Sequence, residues 1–334
     1  MKDIYPLYSK DFMCIAGDCP DTCCAGWEIV IDKKFQEIYK ADSSPAAKKA
    51  VSKMYEDDEG DVCLKLNNGR CPMLNAGNLC EIYIDMGKDA LCDVCRIYPR
   101  FNKECDNANI TGISLSCPEA ARLILEDESY GRLNSGFEFN DEYANTVAEI
   151  TSYLKEKIIE NGFFNIYDKA QRIQDELLFD DKESAMCIAK EPCETFKAPD
   201  ICEVLELSEK IYELEILTDE WKKLIEKLIC HLDKAKTDKL YMKKRNDALK
   251  NCASLKEIKN IGIYYLYKYM PEAIDSGDIT YSGAISYYAL LILCELYAME
   301  YAKNNALPFE RKLRLAQLFS KELEHNEDNL NSLI

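Results

Sequence analysis

The stretch "CIAGDCPDTCCAGW", Cys14 to Trp27, sets four cysteines within eleven residues and closes on the adjacent pair Cys23 and Cys24. The chain carries 17 cysteines in 334 residues, and eleven of them lie between Cys14 and Cys117. That asymmetry predicts a cysteine-rich metal- or cluster-binding domain over residues 1–130, with short β elements, and a multi-helix domain over residues 131–334. The opening "MKDIYPLYSKDFMC" mixes acids and bases and has no apolar run of signal-peptide type, so a cytoplasmic location is expected. In a reducing compartment an odd cysteine count and an adjacent pair argue against a disulfide framework and for metal or iron-sulfur ligation.

Working outward, the early cysteines form three groups: Cys14-x4-Cys19-x3-Cys23-Cys24, Cys71-x8-Cys80, and Cys92-x2-Cys95 with Cys117 beyond. Both histidines, His231 and His325, lie in the helical part, so any early site is all-sulfur and suits zinc or an iron-sulfur centre rather than magnesium or calcium. Only Cys92 and Cys95 make the Cys-x2-Cys pair common in structural zinc sites. The radical S-adenosylmethionine spacing, Cys-x3-Cys-x2-Cys, begins at Cys19 and Cys23 but meets Gly26 at its third position. No core other than the bound centre is evident in these loops. In "VCLKLNNGRCPML", Leu64 and Leu66 precede the turn signal Asn67-Asn68-Gly69, which predicts a small hairpin.

From about residue 140 the texture becomes helical. Val147, Ile150, Leu154 and Ile158 recur at helical steps, and six further amphipathic stretches follow, so the fold class is mainly α. Pro271 is expected to end one late helix and Pro308 to open the last. Residues 180–200, polar and carrying two prolines, read as a loop or hinge, and Cys187, Cys193 and Cys252 as dispensable thiols. The apolar run Ala284–Ala298 contains Glu295 and falls short of the ~20 residues that span a bilayer, so it reads as a buried helix. A net charge of -18 repels nucleic acid and anionic membranes.

Four motifs in order, "CIAGDCPDTCCAGW", "CPMLNAGNLCEIY", "CRIYPR" and "LSCPEAARLIL", make the chain resemble the flagellin lysine-N-methylases, part of a wider zinc- or iron-chelating family with a CxxCxxCC motif. The resemblance covers roughly residues 10–125. It implies an enzyme that transfers a methyl group from S-adenosylmethionine to lysines of flagellin and holds an iron-sulfur cluster, 4Fe-4S by type, with zinc as the alternative. The matching residues are Cys14, Cys19, Cys23, Cys24, Cys71, Cys80, Cys95 and Cys117, more than the four that one cluster needs. The first motif is stretched here, and Cys63, Cys92 and Cys105 look like local additions outside the ligand set.

Lysine methylation requires a deprotonated amine in line with a sulfonium methyl group. With no Gly-x-Gly-x-Gly the doubly wound donor site is not visible. Tyr98 is a candidate wall of the transfer pocket, and Arg96 and Arg100 are candidates for the donor carboxylate. Packing for the tyrosine and solvation for the arginines are the plainer alternatives. His231 is expected to pack or cap its helix. A metal-chelating or electron-transfer protein without methyl transfer accounts for the same cysteines.

Overall fold

The computed structural model describes residues 1–334 except 28, 59, 162–164, 193–195, 305 and 334; Cys193 therefore lies outside the described residues. In chain order the elements are β1 Lys2–Ile4, β2 Ile29–Val30, α1 Lys33–Ala41, α2 Pro45–Lys53, β3 Met54–Glu56, β4 Val62–Leu64, α3 Glu81–Met86, α4 Asp93–Ile97, β5 Arg100–Cys105, β6 Ala108–Ile113 and α5 Pro118–Glu126. Helices then follow one another: α6 Glu142–Asn161, α7 Ile166–Leu178, α8 Lys182–Lys190, α9 Ile201–Glu213, α10 Asp219–Thr237, α11 Lys239–Ala253, α12 Lys256–Lys268, α13 Met270–Ser276, α14 Thr280–Asn304, α15 Phe309–Glu324 and α16 Glu327–Asn331. The chain is mainly α, as its periodicity predicts.

Two compact units emerge. One comprises Met13–Phe101 with Cys117–Glu119, and the other Met1–Phe12, Asn102–Ser116 and Ala120–Ile334. A single cut at residue 130 does not reproduce this grouping, because β1 pairs in parallel with β6, Lys2 opposite Ala108 and Ile4 opposite Ile110. That pairing draws the first residues and the β5–β6 ribbon from Asn102 onward into the helical unit. Tyr267 of α12 fastens the sheet there, its hydroxyl donating to the carbonyls of Ile4 at 2.6 Å and Thr111 at 3.0 Å.

The helical unit is built around α14, which packs against α12, α11, α7 and α15. Two glycines allow the close approaches: a Cβ on Gly262 would stand 2.6 Å from Leu290 Cδ1, and one on Gly283 would stand 2.7 Å from Ala170 Cβ. Helix α14 is longer than its apolar run and is long and apolar enough to cross a membrane, yet 89% of that span is buried within the protein. Its Glu295 is paired in the interior with Arg245 of α11 through both guanidinium ends. A carboxylate matched by an internal cation belongs to a protein core, so the buried-helix reading holds.

Helices α8 and α11 are among those that escaped the sequence reading. Residues 182–190 form α8 rather than a loop or hinge: Asp181 caps it by accepting from the Ser184 N–H at 2.9 Å, and its buried face is only Ala185, Ile188 and Ala189. Helix α11 is similarly polar, burying Arg245, Ala248, Leu249, Cys252 and Ala253. Pro271 opens α13 instead of ending α12, which stops at Lys268, while Pro308 stands directly before α15 as expected.

The cysteine unit has an apolar core of its own, contrary to the expectation that a bound centre alone would organise it. Ile29, Ile31, Phe35, Tyr39, Leu64, Met73 and Ile82 cluster there. Strands β2, β4 and β3 form its antiparallel sheet, Ile29 and Met54 both standing opposite Leu64.

Candidate metal centre

The predicted turn assembles the site. Asn67 and Arg70 exchange backbone bonds at 2.8 and 3.1 Å, with Asn68 at φ 51° and Gly69 at φ 73° between them. Positive φ at both central residues is the tight hairpin turn that Asn-Gly favours. The returning strand pairs with the end of the first cysteine motif: Gly26 N–H donates to the Gly69 carbonyl at 2.9 Å, and Cys71 N–H to the Cys24 carbonyl at 2.8 Å. Cys24 and Cys71 are thus placed side by side by backbone alone.

The next loop folds back on itself. Asn75 Oδ1 accepts from the N–H groups of Gly77 at 2.8 Å and Leu79 at 3.0 Å, Leu74 pairs with Cys80, and Cys80 stands at the start of α3. Cys92 occupies the same position before α4, whose first N–H, from Asp93, is held by Asp32 at 2.9 Å. Around these termini Cys24, Cys71, Cys80, Cys92 and Cys95 feel one another's charge, and all five belong to one packed cluster. A second group, Cys14 and Cys117, acts on Cys23, which is hydrogen-bonded to Cys24 and so joins the two groups. None of the described cysteines is in a disulfide.

The thiol chemistry is uneven. The Cys23 S–H donates to the Cys24 sulfur, and chiefly for that reason Cys24 is drawn down to about 7 while Cys23 is raised. The Cys92–Cys95 pair behaves alike, Cys92 lowered by the bond from Cys95 and Cys95 raised. Burial pushes Cys71 up to about 12 and Cys80 also upward; backbone N–H groups of Met73, and of Tyr83 and Ile82, point at these two sulfurs and pull the other way. Such N–H···S bonds favour the thiolate, the form that binds metal. Tyr39, whose hydroxyl donates to the Ala90 carbonyl at 2.6 Å, has its phenol raised by burial and by Cys92, Cys95 and Cys80.

Of the sequence-predicted residues, Cys24, Cys71, Cys80 and Cys95 come together, and Cys14, Cys23 and Cys117 form the adjoining group. The Cys19 thiol donates to the Asp21 carbonyl at 3.2 Å. Cys92, set aside as a local addition, stands among the gathered thiols, and its Cys-x2-Cys spacing to Cys95 was the signal that could have included it. Cys63 is buried on β4 against Asp57, and Cys105 belongs to the helical unit. Among the described residues no three Cys, His, Asp or Glu side chains form a ready cage for a single ion. Tyr98 is half-buried with its ring 5.4 Å from that of Trp27, Arg96 is exposed and bonded to Asp93, and Arg100 is exposed on β5.

No family model and no solved structure matches the chain. It is 31% identical over 136 residues to a lysine-N-methylase of Salmonella choleraesuis, and 30% identical over 136 residues to one of Salmonella typhimurium. Each match covers 38% of this chain and about a third, 34%, of the relative. The flagellar biosynthetic protein FliU of Salmonella muenchen is 30% identical over 136 residues, 38% of this chain and 80% of that protein.

Proposed function

The chain belongs to the family of the lysine-N-methylases and the flagellar biosynthetic protein FliU, and from that premise we propose that it is a cytoplasmic protein-lysine N-methyltransferase that acts on flagellin, takes its methyl group from S-adenosylmethionine and holds an iron-sulfur cluster. The single observation that carries the cluster is the convergence of Cys24, Cys71, Cys80, Cys92 and Cys95 from three separate loops, with backbone N–H groups aimed at the sulfurs of Cys71, Cys80 and Cys92. The donor set is soft and purely sulfur, which fits an iron-sulfur cluster. Tetrahedral zinc with ~2.3 Å bonds needs its sulfurs within ~4 Å of one another, whereas a cluster spaces them more widely, so metal and sulfide analysis separates the two. When bound, such a cluster supplies either a rigid anchor for the loops or an iron with an open position.

The chain's own residues have simpler tasks. In the transfer a neutral lysine amine forms the N–C bond as the S–C bond breaks, and the proton shed by the lysine leaves to a base or to water. The Trp27–Tyr98 ring pair offers aromatic faces that attract a sulfonium cation, as they do quaternary ammonium groups. Arg96, bonded to Asp93, and Arg100, exposed on β5, are both to be tested for the donor carboxylate. Anaerobically purified protein should contain iron and acid-labile sulfide and should label flagellin lysines from a methyl-labelled donor. Iron and sulfide without labelled lysine would replace this reading with an electron-transfer or metal-chelating role, and stoichiometric zinc without iron would remove the cluster.

A further inference from the structure

The helical unit carries an aromatic group, away from the cysteine motifs, where α7 meets α14. The two helices approach closely at Ala170 and Gly283: a Cβ on the glycine would stand 2.7 Å from the alanine Cβ. One turn back along α7 is Tyr167, and one turn on along α14 are Tyr287 and Tyr288. Their rings stand together, Tyr167 lying 5.9 Å from Tyr287 and 5.6 Å from Tyr288 between centroids, and Tyr287 5.3 Å from Tyr288. Tyr167 and Tyr287 are within 21° of parallel, and Tyr288 is inclined to them by 50° and 63°. All three are half-buried, so the group meets solvent on one side.

Two carboxylates accompany the rings. The Tyr287 hydroxyl donates to Oε1 of Glu203 on α9 at 3.3 Å, and after burial the charges of Glu203 and Asp168 raise the phenols of Tyr287 and Tyr288. Both carboxylates are on exposed residues, and neither makes an ion pair among the described residues. Among the described residues no lysine or arginine lies over any of the three rings. Elsewhere the chain covers its tyrosines itself: Lys103 stands 4.5 Å from the centroid of Tyr269, and Lys234 4.5 Å from that of Tyr241. Ring faces and carboxylates both attract positive charge, and here the chain supplies none.

We propose that Tyr167, Tyr287 and Tyr288, with Glu203 and Asp168 beside them, seat a methylated ammonium group, the side-chain terminus of a methylated lysine. With centroids 5.3 to 5.9 Å apart, one cation resting on the group lies within the ~6 Å cation–π range of all three rings. Methylation keeps the charge while removing hydrogen-bond donors, which lowers the cost of leaving water and leaves the attraction to rings and carboxylates in place. Naming this occupant rests on the methyl-transfer reading, since a methylated lysine is the product of that reaction. Binding itself needs no donor, thiol centre or turnover.

Calorimetry of the full chain titrated with Nα-acetyl-Nε-trimethyllysine amide tests the seat, alongside the uncharged isostere in which a tert-butyl group replaces the trimethylammonium. The cation should bind, and the isostere should bind ~10-fold more weakly or worse. The combined variant Glu203→Gln and Asp168→Asn, changes at exposed positions that leave the fold intact, should weaken binding by ~3-fold or more, and Tyr288→Leu, checked for a retained unfolding transition, by at least as much. No binding at about 10 mM, equal binding of the isostere, or parental affinity in either folded variant would each overturn the assignment. Displacement of the probe by S-adenosylmethionine would also overturn it, by giving the rings to the donor. Flagellin labelled without probe binding would remove this seat and leave the methyl-transfer reading; probe binding without labelled lysine would do the reverse.

Discussion

The backbone N–H of Cys71 donates to the carbonyl of Cys24 at 2.8 Å, so two cysteines from different motifs are neighbours through main chain rather than through any metal. The turn at Asn68 and Gly69 fixes this register.

Gly69 therefore bears on the thiol site without contributing an atom to it. Its φ of +73° disfavours a β-branched side chain although nothing lies within 4 Å of its Cβ position. Gly69→Val should destabilise the cysteine unit by roughly 1–2 kcal/mol and reduce its iron content. Gly136→Ala, with equal space and ordinary backbone, should do neither. Urea unfolding and metal analysis check both, and equal behaviour of the two variants would show that the turn does not position the thiols.

Cys92→Ser should lose iron as fully as Cys95→Ser, because both sulfurs stand in the gathered group. Cys187→Ser, exposed on α8, should retain iron and stay within about 0.5 kcal/mol of the parent. Full iron retention in Cys92→Ser would return that residue to the local additions.

Glu295→Gln leaves the buried Arg245 guanidinium without its counter-charge and should cost about 3–5 kcal/mol. The double variant Arg245→Met, Glu295→Leu removes both charges and should recover most of that loss, as followed by urea unfolding. A double variant no more stable than the single one would mean that packing, not charge, is what the pair provides.

His231 gives the helical unit an acid sensitivity. Its pKa in the fold, about 4 through burial first and then Arg245 and Lys234, lies below the ~6.5 of an unfolded histidine. The unfolded chain therefore binds the extra proton first. The contribution of His231 is fully present above pH ~6.5 and is lost as pH falls toward 4, up to about 3 kcal/mol in all. Comparing unfolding midpoints of the parent and His231→Gln between pH 7 and 4.5 should show a smaller decline in the variant. Parallel declines would contradict a neutral buried ring.

Much of this protein is written locally. Helical steps such as Val147, Ile150, Leu154 and Ile158 fall within one helix, and Asn68-Gly69 determines its turn from two residues, because backbone preference and side-chain period act over short distances. The weakly patterned α8 and α11 were not legible, since alanine faces and a buried arginine give little hydrophobic contrast. The crowding of thiols in the first third was likewise plain from the sequence. Which thiols meet was decided by pairings between distant segments: Cys71 against Cys24, the start of α4 with Cys92 held by Asp32, and β1 against β6, which assigns the first residues to the helical unit. Long-range hydrogen bonds and burial set those neighbours, and neither leaves a periodic trace in the chain.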